Sequence, residues 1–99
     1  MEIRIQTIHF DASQQLEAFV QKKVNKLGKY LDGILTAEVV LKVVKPETAM
    51  NKEASVKLGA PNQEFFASKT TDSFEESIDN VIDALEKQVL KFKQKQRAK

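Results

Sequence analysis

Lysines recur in this sequence at a spacing that suits one kind of chemistry. Lys22, Lys26 and Lys29 follow one another at intervals of four and three, and Lys87, Lys91 and Lys95 at intervals of four. The last thirteen residues, KQVLKFKQKQRAK, hold five lysines, one arginine and no acid. Residues three and four apart share one face of a helix, so each set makes a row of ammonium groups. Such a row is poor for stability, because like charges at this spacing cost a few tenths of a kcal/mol per pair. It is well suited to a polyanion, since each lysine that neutralises a phosphate releases a condensed counterion. Lysines near a helix C-terminus also complement the macrodipole, by about 0.3–1 kcal/mol each. That accounts for one or two of them and leaves the matching row on a second helix unexplained.

Two helices must carry these rows. Leu16, Phe19, Val20, Val24, Leu27, Tyr30 and Leu31 recur at helical spacing after the capping candidates Asp11 and Ser13. This predicts a first helix that ends at Asp32-Gly33, with Gly28 inside it at a cost of about 1 kcal/mol relative to alanine. Phe74, Ile78, Val81, Ile82, Leu85, Val89 and Phe92 predict a second helix, started by Asp72 with Glu75 completing a capping box. Four segments alternate with a period of two or run apolar. They are EIRIQTIHF, ILTAEVVLKVVK, KEASVKLGA and QEFFASKT, with Phe65 and Ala67 facing inward in the last. PETAMN and APN are the loops between strands, and Gly59 reads as a conformational glycine beside the second of them. The expected fold is α+β, in the order β-α-β-β-β-α. A four-stranded sheet packs two helices on one face, like a double-stranded-RNA-binding domain. Residues 1–99 are expected to form one domain, with a basic helix end at about 87–99.

Projected at about 100° per residue, Lys22, Lys26 and Lys29 share one flank of the first helix. Lys23 falls inside the apolar arc, where its stem packs and its ammonium reaches out. On the second helix Glu75, Glu76, Asp79, Asp83 and Glu86 occupy one flank and the back. Lys87, Lys91 and Lys95 occupy the other flank, at an angle matching the lysines of the first helix.

Other functions find little support. Net charge is only +2, so the basic rows stand out by arrangement and not by excess. There is no cysteine for thiol chemistry or a thiolate metal site, and the single histidine, His9, has no second histidine to share a metal. No P-loop or dinucleotide fingerprint is present. Glu75 and Glu76 are explained by the dipole at a helix start. No cofactor, metal or small-molecule substrate is expected, and no enzymatic activity. No apolar run reaches the length of a membrane span, and the start lacks the layout of a signal peptide, so the expected location is cytoplasmic. Phe66 alone offers an outward aromatic on the sheet, which disfavours base stacking there. Recognition of backbone and shape by the helices is favoured.

Three stretches carry a family resemblance: LEAFVQKKVNKLGKYLD, FFASKTTDSFEESID and LEKQVLKFK. In this order and at these distances they resemble the ribosome hibernation promoting factors, also called ribosome-associated inhibitors or ribosomal subunit interface proteins. The resemblance implies a non-catalytic inhibitor of translation that lies in the mRNA and tRNA channel of the small ribosomal subunit. It would contact ribosomal RNA there and keep idle ribosomes inactive in starvation or stationary phase. Carried over by position, the RNA-facing residues are Lys22, Lys23, Lys26 and Lys29, then Lys87, Gln88, Lys91, Lys93 and Lys95. Lys93 departs from the lysine flank and projects on the acid-bearing side. The chain stops soon after the second helix, as expected of the short form of the family, and it is expected to be monomeric when free. The alternatives are a generic double-stranded RNA-binding module, for which the loop KPETAMNK supplies only Lys45 and Lys52, and an interaction protein for an acidic partner.

If about eight lysines meet phosphate, a plot of log K against log salt for small-subunit binding should slope near about −6, at roughly 0.7–0.9 per contact. Binding that hardly changes between low and moderate salt would contradict this.

Overall fold

The computed structural model describes residues 2–29, 33–44, 50–61 and 63–97. Along them run β1 (Glu2–Ile8), α1 (Gln14–Leu27), β2 (Thr36–Val43), β3 (Lys52–Ala60), β4 (Gln63–Thr71) and α2 (Phe74–Arg97). The element order is the expected one, and the sheet is mixed. Its strands lie in the order β1-β2-β3-β4, with β1 parallel to β2 and the other two pairs antiparallel. Parallel neighbours need a crossover, and α1 supplies it.

Strand alternation sends one set of side chains to the helices. Ala37, Val39 and Leu41 of β2, Ala54, Val56 and Leu58 of β3, and Phe65 and Ala67 of β4 are all buried. They meet Leu16, Val20, Val24 and Leu27 of α1 and Phe74, Ile78, Val81, Ile82, Leu85 and Val89 of α2 in one core. The opposite face is polar and exposed. There Ser55 and Ser68 bond across the strands at 3.1 Å, and Lys57 lies 3.8 Å from Glu64. Phe66 points out from this face and is 58% exposed.

Several boundaries differ from those the sequence predicts. Ser13 caps α1, its Oγ accepting from the Leu16 N–H at 3.1 Å. The helix then closes at Leu27, with Gly28 as its C-cap in a right-handed conformation. Gly28 therefore lies at the helix end and not in its interior. Gly33 does take the left-handed conformation, at φ 101°, in the turn that leads into β2. Tyr30, Leu31 and Asp32 fall outside the described residues. At α2 the cap is Ser73 and not Asp72. The Ser73 Oγ accepts from the Glu76 N–H at 3.1 Å, so the acid three residues on is Glu76 and not Glu75. Asp72 instead accepts from the Met50 N–H at 2.8 Å, which ties this corner to the start of β3. Gly59 serves close approach and not an unusual backbone: a Cβ there would lie 2.6 Å from the Thr36 Oγ1 on the neighbouring strand.

A small polar node fixes the start of α2. Ser77 is fully buried, and its Oγ donates to the Lys52 carbonyl at 2.6 Å. The Thr71 and Ser77 hydroxyls lie 2.8 Å apart, and Thr71 Oγ1 also donates to the Ser73 carbonyl at 2.8 Å. A buried acceptor that loses its donor costs about 1–3 kcal/mol. Ser77→Ala should therefore destabilise the fold by about 1–2 kcal/mol in urea titration. An unchanged midpoint would show that the hydroxyl holds nothing in place.

Candidate nucleic-acid interface

The two helices run in the same direction. α1 returns the chain from β1 to a parallel β2, so it runs against both. α2 runs against β4, because Thr71 at the end of the strand meets Ser77 while Phe66 near its start meets Gln88. β4 is itself parallel to β2 through two antiparallel pairings. On parallel helices over one sheet, side chains at the same angle from the sheet look the same way. The matched angles of the two lysine rows thus become a matched direction in space.

The contacts give each flank a neighbour. Lys23 Nζ lies 3.1 Å from Asp79 Oδ1 across the two helices, and 5.5 Å from the centre of the Phe19 ring. The acid-bearing flank of α2 therefore faces α1. On the other side of α2 the Gln88 side-chain amide donates to the Phe66 carbonyl of β4 at 2.9 Å. Lys91 and Lys95 line a groove of about 260 Å³ with Gln63, Glu64, Phe65, Gln88 and Phe92. The lysine flank of α2 therefore overhangs the β4 edge. The acidic row of α2 stands between it and the lysines of α1, so the two rows look one way without merging.

Each residue singled out in the sequence has a place in this arrangement. Lys22 and Lys26 are exposed on α1, and Lys29 is exposed in the turn just after it, its N–H donating to the Lys26 carbonyl at 3.2 Å. Lys23 is half-buried and paired with Asp79, so the expected packed stem ends in an ion pair. Lys87, Lys91 and Lys95 are exposed on the β4 side of α2. Gln88 is half-buried and engaged with the strand. Lys93 is half-buried and, by helical angle, lies on the flank that meets α1 with Asp79 and Glu86. Lys52 bonds Asn51 Oδ1 at 2.6 Å, and Lys45 lies outside the described residues. Sequence reasoning passed over Lys69, which is exposed on β4. The alternation of Phe65, Ala67, Lys69 and Thr71 assigns it to the helix side, and only the edge position of β4 lets it reach solvent. No group of three metal-ligating side chains occurs among the described residues, and no described helix is long and apolar enough to cross a membrane.

What this surface can do is hold an extended polyanion on exposed ammonium groups. A mixed four-stranded sheet in the order β-α-β-β-β-α, with two parallel helices on one face, defines the class of fold. The sequence identifies it further. Residues 3–97 match the family described as Sigma 54 modulation protein / S30EA ribosomal protein, and the chain belongs to that family. It is 26% identical over 98 residues to the ribosome hibernation promoting factor of Pseudomonas putida, covering 99% of this chain and 92% of that one. Its identity to the ribosome hibernation promoting factor of Azotobacter vinelandii is 25% over 96 residues, covering 97% and 86%. Among solved structures it is similar to the N-terminal domain of Thermus thermophilus Protein Y, with a TM-score of 0.79, 26% identity and coverage of 93% and 99%. The ribosomal subunit interface protein of Coxiella burnetii has the same fold, with a TM-score of 0.84 at 21% identity and coverage of 95% and 99%.

Beyond the buried Val89, Phe92 packs the C-terminal part of α2 edge-on against Phe65, with centroids 5.6 Å apart. Phe92→Ala should cost about 2 kcal/mol, less than a fully buried ring because Phe92 is only half-buried. It should also loosen the backbone that carries Lys91 and Lys95. Amide hydrogen exchange should then quicken beyond residue 88 while the first half of α2 stays protected. Uniform acceleration along the helix would contradict this anchoring.

Proposed function

We propose that this protein is a ribosome hibernation factor that binds ribosomal RNA of the small subunit, in the channel used by mRNA and tRNA, and so keeps idle ribosomes from initiating. The reading rests on one combination of observations. The chain belongs over residues 3–97 to a family in which its relatives are named ribosome hibernation promoting factors. It also carries exposed lysine rows on two parallel helices. The mechanism is occlusion. Lys22, Lys26 and Lys29 on one side, and Lys87, Lys91 and Lys95 on the other, bind backbone phosphate, and the folded body fills space that mRNA and tRNA need. Neither turnover nor a cofactor enters this scheme. The factor acts as a monomer, in the cytoplasm, when starvation or stationary phase leaves ribosomes idle. Within the proposed set Lys23 contributes less than its neighbours, because Asp79 already holds its ammonium. Gln88 and Lys93 serve the surface by packing as much as by contact.

The test combines binding with footprinting. Lys26→Glu and Lys91→Glu should each abolish sedimentation with small subunits while far-UV circular dichroism and melting stay as in the wild type. Lys23→Ala should weaken binding less than Lys26→Ala, and Asp83→Lys, on the acidic side of α2, should change it little. Chemical footprints of small-subunit RNA should show protection in the decoding region, relieved by saturating initiator tRNA and mRNA. Protection confined to the solvent side of the subunit would overturn the occlusion mechanism, and equal losses from all the variants would overturn the lysine assignment.

A further inference from the structure

The basic row on α2 does not end with the helix. Phe65, Ala67 and Thr71 of β4 point to the helix side and are buried, and Lys69 falls between them in the same alternation. Yet Lys69 is exposed. The reason is its place. β4 is an edge strand, so the side chain can pass outward beside α2 instead of under it.

Its level along the helix follows from two fixed points. Thr71 meets Ser77 and Phe66 meets Gln88. Five residues of strand span about 17 Å, and eleven residues of helix span about 16 Å, so strand and helix keep step between the two points. Lys69 then lies level with about residue 81 or 82 of α2. The residues α2 turns toward the β4 edge there are Asn80 and Ala84, neither of which carries charge. Lys87 follows about 8 Å further along the helix axis, within reach of two flexible lysine stems that meet the same backbone. Lys91 and Lys95 continue at about 6 Å per step. Lys69 takes part in no ion pair within 4.0 Å among the described residues, unlike Lys23 and Lys57.

We propose that Lys69 is a phosphate-binding residue, the first member of a track Lys69–Lys87–Lys91–Lys95 that follows the β4 edge and holds one RNA strand by its backbone. The track draws its members from a strand and a helix, which is why no helical wheel contains it. It rests on the proposed function, since the ligand is taken to be ribosomal RNA. The exposed position means that substitution should leave the fold unchanged.

The experiment measures binding of fluorescently labelled full-length protein to purified small ribosomal subunits across a salt series. The variants are Lys69→Ala, Lys69→Arg, Lys91→Ala and, as a control from the open face of the sheet, Lys42→Ala. One lost phosphate contact lowers the salt slope by about 0.8 and weakens binding about sixfold near 0.1 M salt. Lys69→Ala should show both changes, as should Lys91→Ala, while Lys69→Arg and Lys42→Ala should match the wild type. If Lys91→Ala weakens binding and Lys69→Ala leaves affinity and slope unchanged, Lys69 is outside the interface and the proposal is overturned while the proposed function stands. If the wild type itself does not bind small subunits, the proposed function fails and the track on ribosomal RNA fails with it.

Discussion

The rotational setting of α2 decides which charges this protein presents, and a buried hydroxyl fixes it. Ser77 donates to the backbone of β3 from a position with no solvent access. The apolar stripe already confines the helix to a range of angles, because a turn of one position would push acids or lysines against Val56 and Leu58. Within that range the hydrogen bond is directional, and leaving it unmade costs the desolvation of the buried Ser77 hydroxyl. Phe74 stacked on Phe10, with centroids 4.5 Å apart, and Phe92 on Phe65 hold the two ends in the same phase. Once α2 is set this way, its acids must meet α1 and its lysines must overhang the β4 edge.

The acidic row has an electrostatic consequence for any polyanion that approaches. Packed helices sit about 8–10 Å apart, close to the Debye length of about 8 Å at physiological salt. Asp79, Asp83 and Glu86 therefore act on the groove between the helices but are largely screened at the β4 edge. One of them is engaged by Lys23, which lowers the repulsion without cancelling it. The attractive surface is divided into an α1 part and a β4-edge part with a less favourable strip between.

Much of this is legible in the sequence, and most of what is not depends on contacts between elements far apart in the chain. The apolar stripes of both helices, the inward Phe65 and Ala67 and the outward Phe66 follow from periodicity, which burial enforces directly. Helix ends did not follow. Leu27-Gly28 and Asp32-Gly33 both offer a glycine stop, and the periodicity continues through Tyr30 and Leu31, so the sequence favours the later stop whereas the helix closes at the earlier. Asp72 and Ser73 are adjacent capping types, and what separates them is a tertiary bond from Met50 to Asp72 that no local pattern contains. Gly59 reads locally as a conformational glycine beside a turn, whereas its constraint, the Thr36 side chain, comes from a strand more than twenty positions away. The Lys23–Asp79 pair and the exposure of Lys69 were hidden for the same reason. Each depends on which element lies beside which.

The matched angles of the lysine rows gained their meaning only from the direction of the helices. Had α2 run antiparallel to α1, equal angles on the two wheels would have pointed to opposite sides of the molecule. The parallel pairing of β1 with β2 forces α1 to run against the sheet direction that β2 and β4 share. The short connection after Thr71 forces α2 to do likewise. A strand order that serves the core therefore also aligns the two charged flanks. The alignment is unequal in effect: the α1 row faces the neighbouring helix, while the α2 row faces open solvent past an edge strand. That asymmetry places the less obstructed basic surface on α2 and β4, where a strand residue can join a helical row.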